Sequence, residues 1–285
     1  MTNQDLLQIA EEFGTPVYVY DADSIKSQYE KLTTSFAEST KFFYACKSLT
    51  NINILKYVEK LGANLDCVSI NEVKLGLKAG FSPERILFTP NCVDLAEIEE
   101  AMALNVHINI DNISILEQFG TKYGDSYPVF LRINPHIFAG GNYKISTGHI
   151  DSKFGISIHQ MRHIERVMKS TNLNIEGLHM HTGSEIKDPE VFLQGLEIMF
   201  ELSESFPNLK YIDMGSGFKV PYQKGELETD VKALGKKVEK AVAQFKKETG
   251  KDFELWFEPG KYLVSKSGHF LVKSNVIKQT TATVF

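Results

Sequence analysis

The sequence predicts a (β/α)8 barrel of the TIM type, and three observations support that prediction. Short apolar segments typical of buried strands alternate with amphipathic helical patterns along almost the whole chain, which indicates a parallel sheet. Eight strand candidates follow the first one, and eight βα units over roughly 250 residues is the size of such a barrel. No Gly-x-Gly-x-x-Gly follows the first strand, which disfavours the alternative of a doubly wound open sheet.

The predicted strands are short, apolar and rich in branched or aromatic residues, as strands buried on both faces should be. In chain order they are Val17–Tyr20, Lys41–Ala45, Asn64–Val68, Ile86–Phe88, Val106–Ile110, Val129–Ile133, Ile175–Met180, Tyr211–Met214 and Glu254–Phe257. The clearest helical pattern predicts a helix over Leu227–Lys247, with apolar residues at three- and four-residue steps and lysines opposite them. Asp94 and Asp188 are expected to cap two further helices, and Pro189 takes the first helical position of the second.

The two ends of the chain do not fit the barrel. The first strand precedes the first βα unit, and the tail predicts two strands, His269–Lys273 and Asn275–Ile277, with no helix after them. We expect the barrel to span residues 23–265. We expect residues 1–22 and 266–285 to belong to a second, β-rich domain that this chain contains only in part.

Composition excludes several classes of protein. The formal net charge of -5 and the lack of a basic run argue against nucleic-acid binding. No apolar run approaches the roughly 20 residues of a membrane span, and the N-terminus lacks the pattern of a signal peptide. Cys46, Cys67 and Cys92 are scattered, which predicts neither a disulfide framework nor a cysteine zinc site. A cytoplasmic protein with a small-molecule substrate is expected.

Lys47 comes two residues after the end of the apolar strand candidate Lys41–Ala45 and is followed by a polar turn. It therefore lies at the carboxyl end of a buried strand, where barrels of this type place their chemistry. Desolvation would lower the pKa of its ammonium, and a neutral amine can form a Schiff base with an aldehyde. Taken alone, the segment is more often a surface lysine that closes a strand.

Two glycine loops follow the seventh and eighth barrel strands, the position at which TIM barrels commonly bind phosphate. The loops contain Gly215, Ser216, Gly217, Gly260 and Lys261. Glycines let backbone N–H groups approach an anion. A reactive lysine and a phosphate-binding rim at one end of a barrel describe a site for pyridoxal 5'-phosphate.

The sixth barrel strand ends in His179-x-His181, and Glu258 follows the eighth. No further ligand is spaced with the two histidines, so no metal site is predicted. The two imidazoles lie on one face of a strand. Either both are satisfied inside the barrel, or one stacks on a flat cofactor ring. Glu258 is suited to pair with a protonated pyridine nitrogen, although a Glu before Pro-Gly is more often structural.

Taken together, the segments resemble the fold-type III pyridoxal-phosphate enzymes, which include alanine racemase and the ornithine, arginine and diaminopimelate decarboxylases. The matching segments are Tyr44-Ala45-Cys46-Lys47, Leu65-Asp66-Cys67-Val68-Ser69-x-x-Glu72, His179-x-His181-x-Gly183-Ser184, Asp213–Phe218 and Glu258-Pro259-Gly260-Lys261. The stretch 132–155, which ends in Ser152-Lys153-Phe154-Gly155, looks most like diaminopimelate decarboxylase.

The resemblance implies a role for each matching residue. Lys47 binds the cofactor aldehyde and Asp66 supports the lysine side of the pocket. His181 stacks on the pyridine ring, and Glu258 pairs with the pyridine nitrogen. The further cofactor-binding residues that it implies are Ser184, Gly215, Ser216, Gly217, Gly260 and Lys261.

The chain departs from the family pattern at two positions of the glycine loops. Ser216 replaces the middle glycine of Gly-Gly-Gly, and Lys261 replaces the arginine of Glu-Pro-Gly-Arg. Lysine keeps the charge but loses the bidentate geometry, so Lys261 has two possible partners, the cofactor phosphate or a substrate carboxylate. The family also continues into a C-terminal β domain that completes the site across a dimer interface. We therefore expect a homodimer, and this chain to be truncated before that domain.

The resemblance implies pyridoxal-phosphate-dependent decarboxylation of meso-2,6-diaminopimelate to L-lysine, the last step of lysine biosynthesis, by the complete protein. One alternative is another enzyme of the same family, such as a carboxynorspermidine, ornithine or arginine decarboxylase or a racemase. A second is a barrel-only cofactor-binding protein without catalysis, which the predicted tail strands argue against. The last is a barrel that binds some other phosphorylated ligand.

Overall fold

The computed structural model describes residues 1–137, 148 and 152–282. The strands are β1 (Val17–Tyr20), β2 (Lys41–Ala45), β3 (Asn64–Cys67), β4 (Ile86–Phe88), β5 (His107–Ile110), β6 (Val129–Asn134), β7 (Ile156–Ser157), β8 (Ile175–His179), β9 (Tyr211–Asp213), β10 (Glu254–Phe257) and β11 (Gly268–Leu271). Strands β2, β3, β4, β5, β6, β8, β9 and β10 pair side by side in parallel, and β10 pairs with β2, which closes an eight-stranded barrel. The predicted fold class is confirmed, and each of the nine predicted strands begins and ends within one residue of its expected position.

Each barrel strand is followed by a helix, as the alternating pattern predicts. The helices are α1 (Asn3–Phe13), α2 (Ala22–Thr33), α3 (Ile52–Lys60), α4 (Ile70–Ala79), α5 (Leu95–Ala103), α6 (Ile113–Tyr123), α7 (Met161–Thr171), α8 (Pro189–Leu202), α9 (Val231–Thr249) and α10 (Lys261–Val264). Asp94 and Asp188 cap α5 and α8 through their side chains, as expected. No helix in the described part of the chain is long and apolar enough to cross a membrane.

An aromatic cluster fills the barrel below the carboxyl ends of the strands. Phe43, Leu87, Phe130 and Trp256 are buried and form a cluster separate from the main core between strands and helices. Because side chains alternate along a strand, their neighbours on the same strands pack outward against the helices. The cluster closes the interior of the barrel beneath the loops at the carboxyl ends of the strands.

The predicted start of α9 was wrong by one turn. The helix begins at Val231, because the Asp230 side chain accepts a hydrogen bond from the Ala233 N–H at 2.9 Å and caps it there. Leu227, which the periodic pattern assigned to the buried face, is 71% exposed. The apolar spacing continued past the cap, and the capping residue decided the boundary.

The chain ends form a two-stranded ribbon outside the barrel. Strand β1 pairs antiparallel with β11, and Tyr18 stacks on Phe270 with 4.5 Å between ring centroids. The prediction of a second tail strand over Asn275–Ile277 was wrong, because no strand forms there and both Val276 and Ile277 are exposed. Helix α1, capped by Thr2, was not predicted.

Candidate active site

Two adjoining cavities open at the carboxyl end of the barrel, and both are lined by Lys47, His181 and Glu258. The first, about 380 Å³, is completed by the glycine loops, and the second, about 420 Å³, by polar residues that include Arg132 and Lys153. A larger groove of about 650 Å³ lies at the opposite end, where β8 begins, and holds none of the predicted site residues. The first two cavities are therefore the candidate active site because they hold the predicted site residues, although the groove is larger.

Lys47 lies in a short 3-10 turn, Cys46–Ser48, directly after β2. Its Nζ donates a hydrogen bond to Oδ2 of Asp66 at 2.8 Å. Asp66 is fully buried at the carboxyl end of β3, and its other oxygen accepts a hydrogen bond from the Thr89 hydroxyl. Asp66 is thus oriented from both sides, while Lys47 remains half-exposed to the cavities.

The expectation of a lowered lysine pKa was wrong for this arrangement. Burial does lower the pKa of Lys47, but the nearby carboxylates of Asp66 and Glu258 raise it by more. The net result is a pKa above the ordinary value of a lysine, so the ammonium is the stable form. Lys47 must therefore give up a proton before it can act as a nucleophile, and Asp66 is the acceptor within hydrogen-bond distance.

His181 follows β8 and presents a neutral ring to both cavities. Burial, together with the positive charges of Arg132 and Lys47, lowers its pKa to about 3. The Ser216 N–H donates to its Nδ1 at 3.3 Å, which places the proton of the neutral imidazole on Nε2. A flat, uncharged ring in this position can pack against a planar ligand.

Glu258 follows β10 and is held by both its backbone and its side chain. Its N–H donates to the Gly215 carbonyl at 2.7 Å, and its Oε2 lies 3.4 Å from Nε2 of His179. Burial raises its pKa, but His179 and then Lys47 more than reverse this and lower it to about 2. The other oxygen, Oε1, is buried without a hydrogen-bond partner among the described residues. Glu258 therefore offers an ionised, unpaired acceptor.

The loop after β9 has no room for a side chain at either of its two glycines. A Cβ on Gly215 would lie 2.6 Å from the Met180 carbonyl oxygen, and one on Gly217 would lie 2.2 Å from that of Gly183. Both glycines have positive φ, of +60° and +108°, whereas Ser216 between them does not. The replacement of the middle glycine by serine is thus accommodated without backbone strain.

The remaining predicted residues of the glycine loops meet at the first cavity. Ser184 and Gly260 line it, and a Cβ on Gly260 would lie 2.1 Å from the Ser48 hydroxyl. Lys261 lines this cavity but not the second, and its Nζ is 3.8 Å from Oε1 of Glu185. Backbone N–H groups, hydroxyls and one cation around a small space are the donor set that a phosphate requires.

All predicted site residues except two line a cavity. Asp66 lies behind Lys47, and Gly215 lies behind His181, where its Cβ would approach Nδ1 to 2.7 Å. The described residues therefore fit pyridoxal phosphate on three independent features. These are a lysine for the aldehyde, a glycine-rich cradle for the phosphate, and Oε1 of Glu258, which has no hydrogen-bond partner among the described residues, for a protonated ring nitrogen.

Comparison with known proteins agrees with this chemistry. Residues 22–265 match the family model described as "Pyridoxal-dependent decarboxylase, pyridoxal binding domain". A diaminopimelate decarboxylase from Methanothermobacter thermautotrophicus is 32% identical over 285 residues, a match that covers 97% of this chain and 67% of the relative. The chain belongs to the diaminopimelate decarboxylase family.

Solved structures of the family have the same architecture. A crystal structure of diaminopimelate decarboxylase superposes with a TM-score of 0.88 at 32% identity and covers 99% of this chain and 67% of that one. The diaminopimelate decarboxylase of M. jannaschii in complex with L-lysine gives 0.86 at 29% identity, with coverages of 98% and 68%. The chain thus spans about two thirds of the length of these family members.

Arg132 is a residue of the site whose role the sequence did not indicate. It lies in the carboxyl half of β6, is buried, and lines the second cavity with its guanidinium 4.8 Å from the centre of the Phe154 ring. The available signal was a charged residue inside an otherwise apolar strand. Part of the stretch 132–155, which resembles diaminopimelate decarboxylase most, lies outside the described residues, namely 138–147 and 149–151. Lys153 and Phe154 near its end line the second cavity together with Arg132.

Proposed function

We propose that the protein decarboxylates meso-2,6-diaminopimelate to L-lysine with pyridoxal 5'-phosphate as cofactor. Family membership supports the reaction. The observation that carries the proposal for these residues is the position of Lys47 and the unpaired Glu258 oxygen on the same two cavities, beside a phosphate-type cradle. That set contains one group for each functional part of the cofactor.

The bound cofactor supplies an aldehyde that reacts with amines and a ring that accepts the electron pair left when carbon dioxide departs. Lys47 would hold the aldehyde end, and Asp66 would take and return the Nζ proton across the 2.8 Å hydrogen bond. Glu258 would accept the ring N–H and balance its charge. His181 would cover one face of the ring and exclude water from it.

We assign the other end of the cofactor to the glycine loops. Ser184, Ser216, Gly217 and Gly260 would bind the phosphate through hydroxyl and backbone N–H groups. Gly215 would act indirectly by leaving room for the His181 ring. We assign Lys261 to the phosphate rather than to a substrate carboxylate, because it lines the first cavity only.

We further propose that residues 23–265 form the cofactor-binding domain and that residues 1–22 and 266–285 belong to a β-rich unit, which the pairing of β1 with β11 supports. A cytoplasmic location is supported by the three free cysteines. The homodimer that the family resemblance implies is open to a light-scattering measurement of molar mass.

The test is release of carbon dioxide from a panel of substrates by purified protein supplied with pyridoxal phosphate. The panel holds meso-2,6-diaminopimelate, ornithine, arginine and carboxynorspermidine, and alanine racemisation is measured in parallel. We expect L-lysine to form from meso-2,6-diaminopimelate with the highest kcat/KM. A higher kcat/KM on another member of the panel would assign the protein to that reaction instead. Cofactor binding without turnover, both in these residues and in a chain extended through the family's C-terminal β domain, would favour a non-catalytic barrel.

A further inference from the structure

Next to Glu258 lie two ionisable side chains, His179 and Asp213, to which the proposed reaction assigns no role. His179, Asp213 and Glu258 are all buried, and one polar atom of each lies within 4.8 Å of those of the other two. The barrel brings them together because β8, β9 and β10 are adjacent, with His179 opposite Asp213 and Asp213 opposite Trp256. The three groups therefore form one buried cluster around Glu258, in which His179 lines the edge of the second cavity and Asp213 lines neither cavity.

His179 is oriented by a residue two barrel strands away. Nδ2 of Asn109, on β5, lies 2.6 Å from Nδ1 of His179. An amide NH₂ can only donate, so Nδ1 is the acceptor and the proton of a neutral imidazole is on Nε2. Nε2 is the nitrogen that faces Glu258 at 3.4 Å, so His179 presents a donor to the carboxylate.

Asp213 is held so that one of its oxygens also faces the cluster. Its Oδ1 accepts the Gly215 N–H at 2.8 Å, while its buried Oδ2 has no partner among the described residues. Burial, and then the negative charge of Glu258, raises the pKa of Asp213 well above its usual range. Asp213 is therefore the neutral acid of the pair, and its proton is available to Glu258.

We propose that His179 and Asp213 are positioning residues that donate hydrogen bonds to the Glu258 carboxylate and thereby keep the shared proton on the ring nitrogen of the cofactor. The inference rests on the proposed function. A carboxylate that already accepts hydrogen bonds is a weaker base, so it takes the proton from a pyridinium less readily. The cations of Lys47, His181 when protonated, and Arg132 act in the same direction, and Asp66 acts against them.

The test is the ¹⁵N resonance of the ring nitrogen in protein loaded with ¹⁵N-labelled pyridoxal phosphate, measured beside kcat. Asp213→Asn and His179→Gln keep a donor in place, whereas Asp213→Leu and His179→Leu remove it. Glu176→Gln is the matched control, because Glu176 is a buried acid on β8 that pairs with Lys210 away from the cavities.

We expect the parent, the control, Asp213→Asn and His179→Gln to give the resonance of a protonated ring nitrogen. The leucine variants should shift it toward the unprotonated position and lower kcat by about tenfold or more, as loss of a supporting partner commonly does. An unshifted resonance in a fully loaded leucine variant would overturn the inference. If the leucine variants do not fold, Asp213→Asn decides alone, because a shifted resonance there would show that Asp213 acts as an ionised carboxylate.

Two further results separate this inference from the proposed function. A parent protein that does not bind the cofactor through Lys47 would overturn the proposed function and the inference with it. A parent that binds and turns over, together with a stoichiometric metal ion that is lost in Asp213→Asn, would overturn the inference alone, since the cluster would then be a metal site.

Discussion

Nζ of Lys47 lies 2.8 Å from Oδ2 of Asp66, across the junction of two adjacent barrel strands. The two residues are close because Ala45 of β2 is in register with Asp66 of β3, which places the turn that carries Lys47 beside the end of β3. A fully buried carboxylate beside a lysine both stabilises the ammonium and provides a place for its proton. This pair gives the site its acid–base chemistry.

Glu258→Gln should lower kcat by about 10²–10³-fold, the usual cost of removing one preorganised electrostatic contact to the charge that develops in the reaction. Glutamine has the same shape but cannot hold a negative charge against a protonated ring. Carbon dioxide release at saturating substrate and cofactor measures the effect. A kcat within threefold of the parent would contradict the role proposed for Glu258.

Gly217→Ala should weaken cofactor binding far more than Gly225→Ala, although both glycines have positive φ. The backbone strain of about 1–2 kcal/mol is common to both variants. Only at Gly217 would the new Cβ approach a backbone oxygen, to 2.2 Å, whereas nothing lies within 4 Å at Gly225. Overpacking of this kind adds about 1–3 kcal/mol. Equal Kd values for pyridoxal phosphate in the two variants would contradict a phosphate cradle at Gly217.

His181→Phe should reduce the loss of stability in acid. The folded protein lowers the pKa of His181 from 6.5 to about 3, so the unfolded chain binds more protons between these values. The stability that this provides is complete above pH 6.5 and is lost as the pH falls toward 3. Urea unfolding at pH 4, 5 and 6 gives the free energy of unfolding at each pH. We expect this free energy to change less steeply with pH in the variant, by up to about 1.4 kcal/mol per pH unit. Parallel curves would mean that His181 titrates normally in the folded state.

Lys261→Ala should raise the Kd for pyridoxal phosphate about tenfold, the effect of losing a charge-assisted contact of roughly 1.4 kcal/mol. At saturating cofactor the KM for the substrate should stay near that of the parent, because Lys261 does not line the second cavity. Lys261→Arg serves as the control and should bind the cofactor at least as well as the parent. A raised KM with an unchanged cofactor Kd would assign Lys261 to the substrate carboxylate instead.

The barrel could be predicted from the sequence because strands buried on both faces are uniformly apolar and end abruptly at polar turns. The start of α9 and the second tail strand were mispredicted because apolar residues were taken as evidence of burial. Apolar residues such as Leu227 and Val276 are exposed in this structure, and periodicity alone does not distinguish them from buried ones. A cap such as Asp230 or a pairing partner decides these elements.

The convergence of Lys47 and the glycine loops on one cavity could be predicted, because each follows a parallel barrel strand and the carboxyl ends of those strands meet at one end of the barrel. The protonation states could not. Lys47 has a raised rather than a lowered pKa because Asp66 and Glu258 approach it, and those approaches depend on barrel register. The role of Asn109 depends on a contact with His179 two strands away, which no local pattern indicates.

The most direct test of the account is the absorption spectrum of the protein with pyridoxal phosphate, before and after borohydride reduction, with Lys47→Ala as the control. We predict a cofactor absorption band that borohydride reduction removes, as expected for an imine. Reduction should fix the cofactor on the peptide that carries Lys47, and the variant should show neither band nor label. A well-folded parent that binds no cofactor, or a label on a different lysine, would contradict the assignment of this cavity as the active site.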